Sequence, residues 1–149
     1  FATDELALVL PTNHSLSNSE EITKEDLYTL DFITLDPQST TRKVVDKLLS
    51  SSGLDVQRLN IEMELNSLEA IKNAVQANLG AAFLPVVSIE RELLGGSLKR
   101  PIIADLEVRR ELKVITNPGR YSSRAAAAFT KDILPLFASS VSPLFIGKN

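Results

Sequence analysis

The clearest pattern of apolar and polar positions lies in the middle of the chain. From position 58 to 65, apolar residues alternate strictly with charged or amide residues. The apolar members of this pattern are Leu59, Ile61, Met63 and Leu65. A period of two predicts a β-strand with one solvated face, near the edge of a sheet.

A helix is predicted directly after this strand. Asn66 can cap its first turn, and Glu69 stands three positions later, as in a capping box. Its apolar stripe at helical spacing consists of Leu68, Ile71, Val75 and Leu79. Gly80 follows at the position where a left-handed backbone is favoured. Ala81–Leu84 is apolar on both faces, which predicts a strand that is covered by helices.

An earlier part of the chain also predicts a strand that is followed by a helix. A strand at Phe32–Leu35 precedes a helix that begins at Ser39 or Thr40 and ends at Gly53. From residue 31 to 85 the order is therefore strand, helix, strand, helix, strand. This βαβαβ order predicts parallel strands that are joined by right-handed crossovers.

Shorter elements flank this unit. Strands are predicted at Glu5–Leu10, Leu98–Ile103 and Val108–Thr116, and short helices at Thr23–Leu30 and Ser88–Leu94. Thr23 caps the first of these helices, with Asp26 three residues on. A last helix begins after Ser122 or Ser123, with an apolar stripe of Ala126, Phe129, Ile133 and Phe137. Pro135 is expected to end or kink it.

Composition excludes several classes of protein. The 149 residues carry a net charge of −3 at pH 7 without a basic cluster, which argues against direct binding of nucleic acid. The chain has no Cys, so disulfides and cysteine metal sites are excluded. No apolar run approaches the roughly 18 residues that predict a membrane-spanning helix. Because the chain begins at Phe1 and not at Met, we expect that it is a piece of a longer protein.

Three loops follow the predicted strands, at Asp36–Arg42, Leu65–Leu68 and Leu84–Ser88. In open α/β sheets, ligands gather at the carboxyl ends of the strands, where helix N-termini also lie. A helix start offers free N–H donors and a partial positive charge, which suit a small anion. The simpler interpretation is that the hydroxyl and amide side chains only cap their helices.

Arg42 and Lys43 strengthen the interpretation as an anion site. Both lie in the first turn of a predicted helix, where a cation meets the positive end of the helix dipole at a small cost. A bound carboxylate or phosphate would offset that cost, and Arg can grip it with two hydrogen bonds. The alternative is that these side chains point to water or pair with Asp36 or Asp46.

Catalytic chemistry finds little support in the sequence. Glu62 and Glu64 share a strand face and could act as a carboxylate pair, but a solvated face explains them better. His14 is the only histidine, so a metal site would need carboxylates alone. No phosphate-binding glycine loop or nucleophile motif occurs. We therefore expect no enzyme, no metal and no other cofactor.

From Asp4 to Phe137 the chain resembles the effector-binding domain of LysR-type transcriptional regulators, truncated at its front. The similar stretches are "DELALVLPTNHSL", "LDFITLD", "NSLEAIKNAVQANLGAAFLP" and "NPGRYSSRAAAAF". The wording of "STTRKVVDKLL" and "MELNSLEAIKNAV" is most like the cyanobacterial and plastid subgroup that controls carbon fixation, the CbbR, RbcR, CmpR and NdhR relatives.

The resemblance implies an α/β fold of the type II periplasmic-binding-protein kind, with two Rossmann-like lobes and a parallel-rich sheet. Residues 1–118 would form the second lobe and include both crossover strands. Residues 119–138 would be a helix of the incomplete first lobe, and 139–149 a loose tail.

The resemblance also implies a function. A small anionic metabolite of the 2-oxoglutarate, 2-phosphoglycolate or sugar bisphosphate class would bind between the lobes and change how a cytoplasmic homodimer or homotetramer grips its promoter. DNA would be contacted only through a helix-turn-helix that is missing here, and no membrane is involved. The cleft-facing positions of the family fall on Ser39, Thr40, Thr41, Arg42, Asn66, Ser67, Leu84 and Pro85.

Other functions are compatible with the same fold. The chain could be a solute-binding lobe of a transport protein, or a fragment of a two-lobed enzyme. The missing export signal argues against the first, and the missing nucleophile against the second. A third possibility is that the strand at Arg58–Leu65 lies near a subunit contact and that the lobe serves mainly in assembly.

Overall fold

The computed structural model describes residues 2–113, 115 and 123–138. The chain divides into two units. The larger is Glu5–Arg109, and the smaller combines the residues up to Asp4 with those from Arg110 onward. The assignment of 1–118 and 119–138 to two lobes stays a prediction, and the tail at 139–149 lies outside the described residues.

The larger unit contains both helices and strands. In chain order they are β1 (Ala2–Pro11), β2 (Glu21–Ile22), α1 (Lys24–Leu27), β3 (Asp31–Leu35), α2 (Thr40–Ser51), β4 (Asn60–Leu65), α3 (Leu68–Gln76), β5 (Ala82–Pro85), α4 (Glu90–Leu94), β6 (Leu98–Lys99), β7 (Ile102–Ile103) and β8 (Val108–Leu112). Single 3₁₀ turns lie at Ser15–Asn18, Val56–Arg58 and Val86–Ser88. The strands β1 and β8 also extend into the smaller unit, and they pair with each other.

The centre of the sheet is parallel, as the βαβαβ order predicts. β3 pairs in parallel with β4, and Phe32 of β3 forms a parallel bridge with Ala81. β5 continues from Ala81 and pairs on its other side with β1, which runs antiparallel to it. The order across the sheet is therefore β4, β3, β5, β1, with β6 beyond β1. The position of β4 at the edge, with its residues alternately exposed and half-buried, is confirmed.

Each face of this sheet carries its own apolar cluster. On one face, Val45 and Leu49 of α2 pack with Phe32 and Leu8. On the other face, α3 packs on the strands through its buried residues Ile71, Ala74 and Val75. The strand residues that they meet are Val9, Ile33 and Leu84. Because both faces are covered, the central strands are apolar on both sides.

The start of α3 differs from the prediction. Its N-cap is Ser67 and not Asn66, because the Ser67 hydroxyl accepts a hydrogen bond from the amide of Ala70 at 3.3 Å. Leu79, expected in the apolar stripe, is 51% exposed, since α3 ends at Gln76 and the chain has already left the helical path.

The expected role of Gly80 is also wrong. The left-handed residue after α3 is Asn78, whose φ is 64°. Gly80 follows with a φ of 154° and packs directly against β3. A Cβ at Gly80 would lie 2.6 Å from the carbonyl oxygen of Asp31, so this position needs glycine for close approach.

The later strands are shorter than predicted. The stretch Leu98–Ile103 is not one strand but two, because Arg100 and Pro101 separate β6 from β7. Pro101 has no N–H with which to continue a ladder. β6 pairs with β1, whereas β7 pairs in parallel with β2. Within the described residues β8 ends at Leu112; residues 114 and 116 lie outside them.

The last helix begins at one of its two predicted caps and continues beyond its predicted end. Ser123 is the N-cap, and its hydroxyl accepts from the amide of Ala126 at 3.1 Å. The helix comprises α5 (Arg124–Ala128), a π-helical turn (Phe129–Ile133) and α6 (Leu134–Ala138). Of the two expectations for Pro135, the helix does not end there but continues to Ala138, and a π-helical turn directly precedes the segment that contains the proline.

Candidate functional site

The carboxyl ends of three strands meet at one edge of the sheet. The register aligns Leu35 with Leu65, and the amide of Asp36 donates to the carbonyl of Leu65 at 3.0 Å. β5 leaves the bridge at Ala81 in the same direction as β3, so Pro85 ends at this edge too. The prediction that the three following loops share one edge is confirmed. We call this edge, with residues 36–42, 66–68 and 84–88, the loop edge.

The start of α2 presents hydroxyl groups and backbone donors at the loop edge. Ser39 is its N-cap, but the Ser39 side chain makes no capping hydrogen bond. The first intrahelical bond runs from the amide of Lys43 to the carbonyl of Ser39, so the amides before Lys43 precede the helical ladder. Ser39 and Thr41 are half-buried, whereas Thr40 is exposed.

The start of α3 lies beside it on the neighbouring strand. Asn66 is exposed, and Ser67 is half-buried and caps the helix. The amide of Ile71 makes the first intrahelical bond, to the carbonyl of Ser67 at 3.1 Å. Two helices, each of at least two turns, therefore begin at the loop edge. The partial positive charge at the N-terminus of each helix acts there.

Arg42 is held by protein groups on two of its three nitrogens. Its Nε donates to both carboxylate oxygens of Asp46, at 2.9 and 2.8 Å. Its Nη1 donates to the hydroxyl of Thr34 and to the carbonyl of Leu35, the latter at 3.3 Å. The carboxylate of Glu64 lies 3.9 Å from Nη1. Of the two interpretations of Arg42, pairing with Asp46 is therefore the one present in the structure.

Leu84 and Pro85 are placed differently from the hydroxyl residues. Leu84 is 1% exposed within the apolar cluster beneath α3, and Pro85 is also buried, opposite Leu6 of β1. The carbonyl of Pro85 accepts a hydrogen bond from the Ser88 hydroxyl at 2.7 Å. Both side chains are buried because β5 is a central strand whose side chains fill the core; the assignment of these two positions to a cleft stays a prediction.

Sequence reasoning missed several partners of Arg42. Thr34 and Glu64 come from two different strands, and only the parallel pairing of β3 with β4 brings them to one guanidinium. The pairing with Asp46 had a visible signal, the i,i+4 spacing on one helix. A cavity of about 30 Å³ lies beside Arg42, and Thr41 and Asp46 are also among its lining residues.

The described residues contain no group of three His, Asp or Glu side chains that could hold a metal ion. Nor does any described helix have the length and apolar character that crossing a bilayer requires.

Lys72 ties α3 to α4 on the side of the larger unit that carries the second apolar cluster. Its ammonium lies 2.8 Å from the Glu69 carboxylate and 2.9 Å from that of Glu92. Hydrogen bonds to Glu69 and then to Glu92 raise the pKa of Lys72. The bond from Lys72 in turn lowers the pKa of Glu92.

We expect Glu92→Gln to lower the free energy of unfolding by about 1 kcal/mol at pH 7. The pKa of Glu92 lies below its usual 4.5 in the folded state, so its contribution is present above that pH and is lost as the pH falls. The pKa of Lys72 lies above its usual 10.5, so its contribution is present below that pH and is lost as the pH rises. The difference between wild type and variant should therefore be largest near neutral pH.

Urea unfolding at a series of pH values measures this difference. The matched control is Glu69→Gln, because Glu69 bonds the same ammonium but its side chain is 68% exposed. Its cost should stay below about 0.5 kcal/mol. A difference between wild type and Glu92→Gln that stayed constant from pH 3 to 7 would contradict the assigned coupling.

The fold and the loop edge define a class of protein. Helices cover both faces of a mixed sheet, and polar loops follow the carboxyl ends of its parallel strands, where α/β proteins bind ligands. This is the α/β architecture of the type II periplasmic-binding-protein kind. Residues 1–136 match the family described as "LysR substrate binding domain". The chain belongs to this family.

The most similar relatives include three that carry the name "Probable RuBisCO transcriptional regulator". That of Synechocystis is 57% identical over 139 residues, that of Gracilaria tenuistipitata 55% and that of Porphyra purpurea 53%. Each comparison covers 93% of this chain and 40%, 45% and 44% of the relative, respectively. The chain thus spans less than half the length of these relatives, which are named as regulators and not as enzymes.

Solved structures agree on the fold. The Synechocystis CcmR regulatory domain in complex with 2-PG matches with a TM-score of 0.76 at 23% identity, over 95% of this chain and 66% of that one. The effector-binding domain of QuiR in complex with shikimate matches with a TM-score of 0.66 at 20% identity, over 87% of this chain and 59% of that one. At these identities the likeness concerns the fold alone.

Proposed function

We propose that this chain is the effector-sensing part of a transcriptional regulator of carbon-assimilation genes. It binds a small anionic carbon metabolite at the loop edge, and binding changes how the whole protein grips its promoter. The names of the relatives support a role in regulating carbon-assimilation genes, since all three carry the name "Probable RuBisCO transcriptional regulator". They also favour this function over a transport protein or a two-lobed enzyme.

The observation that carries the proposal is the convergence of two helix N-termini at one edge. α2 and α3 begin on adjacent parallel strands, and their first amides precede the intrahelical ladder. Free N–H groups and the positive ends of two helix dipoles attract a carboxylate or phosphate. The hydroxyls beside them add donors that can rotate to suit the ligand.

Several residues would share the contact. The ligand groups at the loop edge are Ser39, Thr40, Thr41, Arg42, Asn66 and Ser67. The side chains of Leu84 and Pro85 would not contact the ligand, because they are buried. The ligand belongs to the 2-oxoglutarate, 2-phosphoglycolate or sugar bisphosphate class, and the 2-PG in the CcmR structure supports this chemistry.

The rest of the regulator is proposed from the family. Residues 1–118 form its second lobe, and 119–138 belong to a first lobe that this chain contains only in part. A helix-turn-helix outside this chain contacts DNA in a cytoplasmic homodimer or homotetramer. The ligand shifts the assembly between two arrangements by its difference in affinity for them, and about 5.5 kcal/mol moves a population from 1:99 to 99:1.

Ser39→Ala should weaken binding of 2-phosphoglycolate about tenfold, since a hydrogen bond to a charged group is lost. Stability should change little, because the Ser39 hydroxyl makes no capping bond. Calorimetric titration of the full-length protein gives the dissociation constant, and a thermal melt checks the fold. The control is Ser51→Ala, which removes an exposed hydroxyl at the other end of α2.

Equal dissociation constants for wild type and Ser39→Ala would remove Ser39 from the site. If none of 2-oxoglutarate, 2-phosphoglycolate and ribulose 1,5-bisphosphate binds the wild-type protein, the proposed ligand class is wrong.

A further inference from the structure

The charge of Arg42 is offset before any ligand arrives. Asp46 lies 2.8 Å from Nε and Glu64 lies 3.9 Å from Nη1, so two carboxylates face one guanidinium. The Arg42 side chain is 13% exposed, whereas those of Asp46 and Glu64 are 35% and 45% exposed, so solvent screens the carboxylates in part. The single positive charge of Arg42 therefore has two negative charges beside it.

One nitrogen of Arg42 stays open to a ligand. Among the described residues, none accepts a hydrogen bond from Nη2, whereas Nε and Nη1 each have acceptors. Nη2 is also not one of the buried side-chain atoms that lack a partner, so solvent reaches it. Arg42 can thus offer one solvent-accessible donor group, while Asp46 and Thr34 hold the other side of its guanidinium.

We propose that Asp46, assisted by Glu64, determines the specificity of the effector site by charge. This inference rests on the proposed function. Arg42 donates through Nη2, while the carboxylates behind it repel a second or third negative charge on the ligand. The site then selects, among anions that fit, those of low charge. Backbone amides and hydroxyl groups at the starts of α2 and α3 carry the remaining contacts.

Asp46→Asn isolates the charge from the geometry. The amide oxygen of Asn still accepts from Nε of Arg42, so the guanidinium keeps its orientation. One negative charge is removed 2.8 Å from Nε of the guanidinium that donates to the ligand, so the Coulomb repulsion of each negative charge on the ligand falls. We expect 2-oxoglutarate, with two charges, to bind about fivefold more tightly, and the more highly charged ribulose 1,5-bisphosphate to gain more.

The experiment is a calorimetric titration of the full-length wild-type protein and variants with 2-oxoglutarate, 2-phosphoglycolate and ribulose 1,5-bisphosphate. Glu64→Gln provides a second test whose folding is not in doubt, because the Glu64 side chain is 45% exposed; it should show a smaller gain in the same direction. Glu62→Gln is the control. It changes the net charge equally, two residues before Glu64 in β4, and should alter affinity less than twofold.

The outcomes separate this inference from the function on which it rests. A gain in affinity in Asp46→Asn that increases with ligand charge and exceeds that in Glu62→Gln supports it. If the wild type binds a probe and Asp46→Asn binds it equally or more weakly, Asp46 does not act by charge, and the proposed function stands. If the wild type binds none of the three probes, both are overturned.

Discussion

Gly80→Ala should lower the free energy of unfolding by about 2–4 kcal/mol, which is one of the two largest effects that we expect. The added Cβ would lie 2.6 Å from the carbonyl oxygen of Asp31 and 3.1 Å from a side-chain carbon of Ile33. The first contact is with backbone that is fixed by pairing: the Asp31 carbonyl accepts from the amide of Ala81 at 2.8 Å. Relief of the clash would therefore have to separate β3 from the strand that carries the third loop.

Gly53→Ala separates steric clash from backbone strain. Gly53 has a φ of +85°, but a Cβ there meets nothing within 4 Å. That variant should cost only about 1–2 kcal/mol, the price of a left-handed alanine. Urea unfolding of the full-length protein measures both. If Gly80→Ala costs no more than Gly53→Ala, the close approach of Gly80 to β3 does not constrain the fold.

Arg110→Met should cost about 3 kcal/mol, because it leaves a buried carboxylate without its cation. Asp4 is 6% exposed, and its Oδ2 accepts from Nε of Arg110 at 2.8 Å and from Nη2 at 2.6 Å. Among the described residues Oδ1 of Asp4 has no partner, so little else offsets the loss. Met preserves much of the apolar stem of Arg, which limits the effect of lost packing.

The neighbouring arginine supplies the control for this prediction. Arg109 is 52% exposed and pairs with Glu107, which is 61% exposed, so Arg109→Met should change stability by less than about 0.5 kcal/mol. The double variant Asp4→Asn with Arg110→Met should recover part of the loss, since no charge remains buried. Chemical unfolding at pH 7 checks all three. Equal costs for Arg109→Met and Arg110→Met would show that the Asp4 pair adds nothing.

The common edge of the candidate site was predictable from the sequence. The order strand, helix, strand, helix, strand with short loops predicts parallel pairing, which puts the loops after the strands at one edge; the register that aligns Leu35 with Leu65 was found only in the structure. The hydroxyl residues at the start of α2 were predictable for the same reason. The burial of Leu84 and Pro85 was not, because an apolar residue at a strand end can face either a cleft or the core.

The partners of Arg42 show the limit of such reasoning most clearly. The sequence left open whether Arg42 meets a ligand, water or Asp46. The helix brings Asp46 within reach, and the register of β3 on β4 adds Thr34 and Glu64. An electrostatic role depends on distances of a few ångströms between residues that are far apart in the chain, and periodicity does not contain those distances.

The order of strands and helices, the apolar face of each helix and the common edge of the loops follow from the amino-acid sequence, since hydrophobic periodicity records which face of each element is buried. The antiparallel entry of β1, the contact that requires Gly80 and the charge balance around Arg42 were decided only when the elements packed. Each of them depends on which groups approach across the sheet, and the free energy of that approach belongs to pairs of distant residues and not to any local segment.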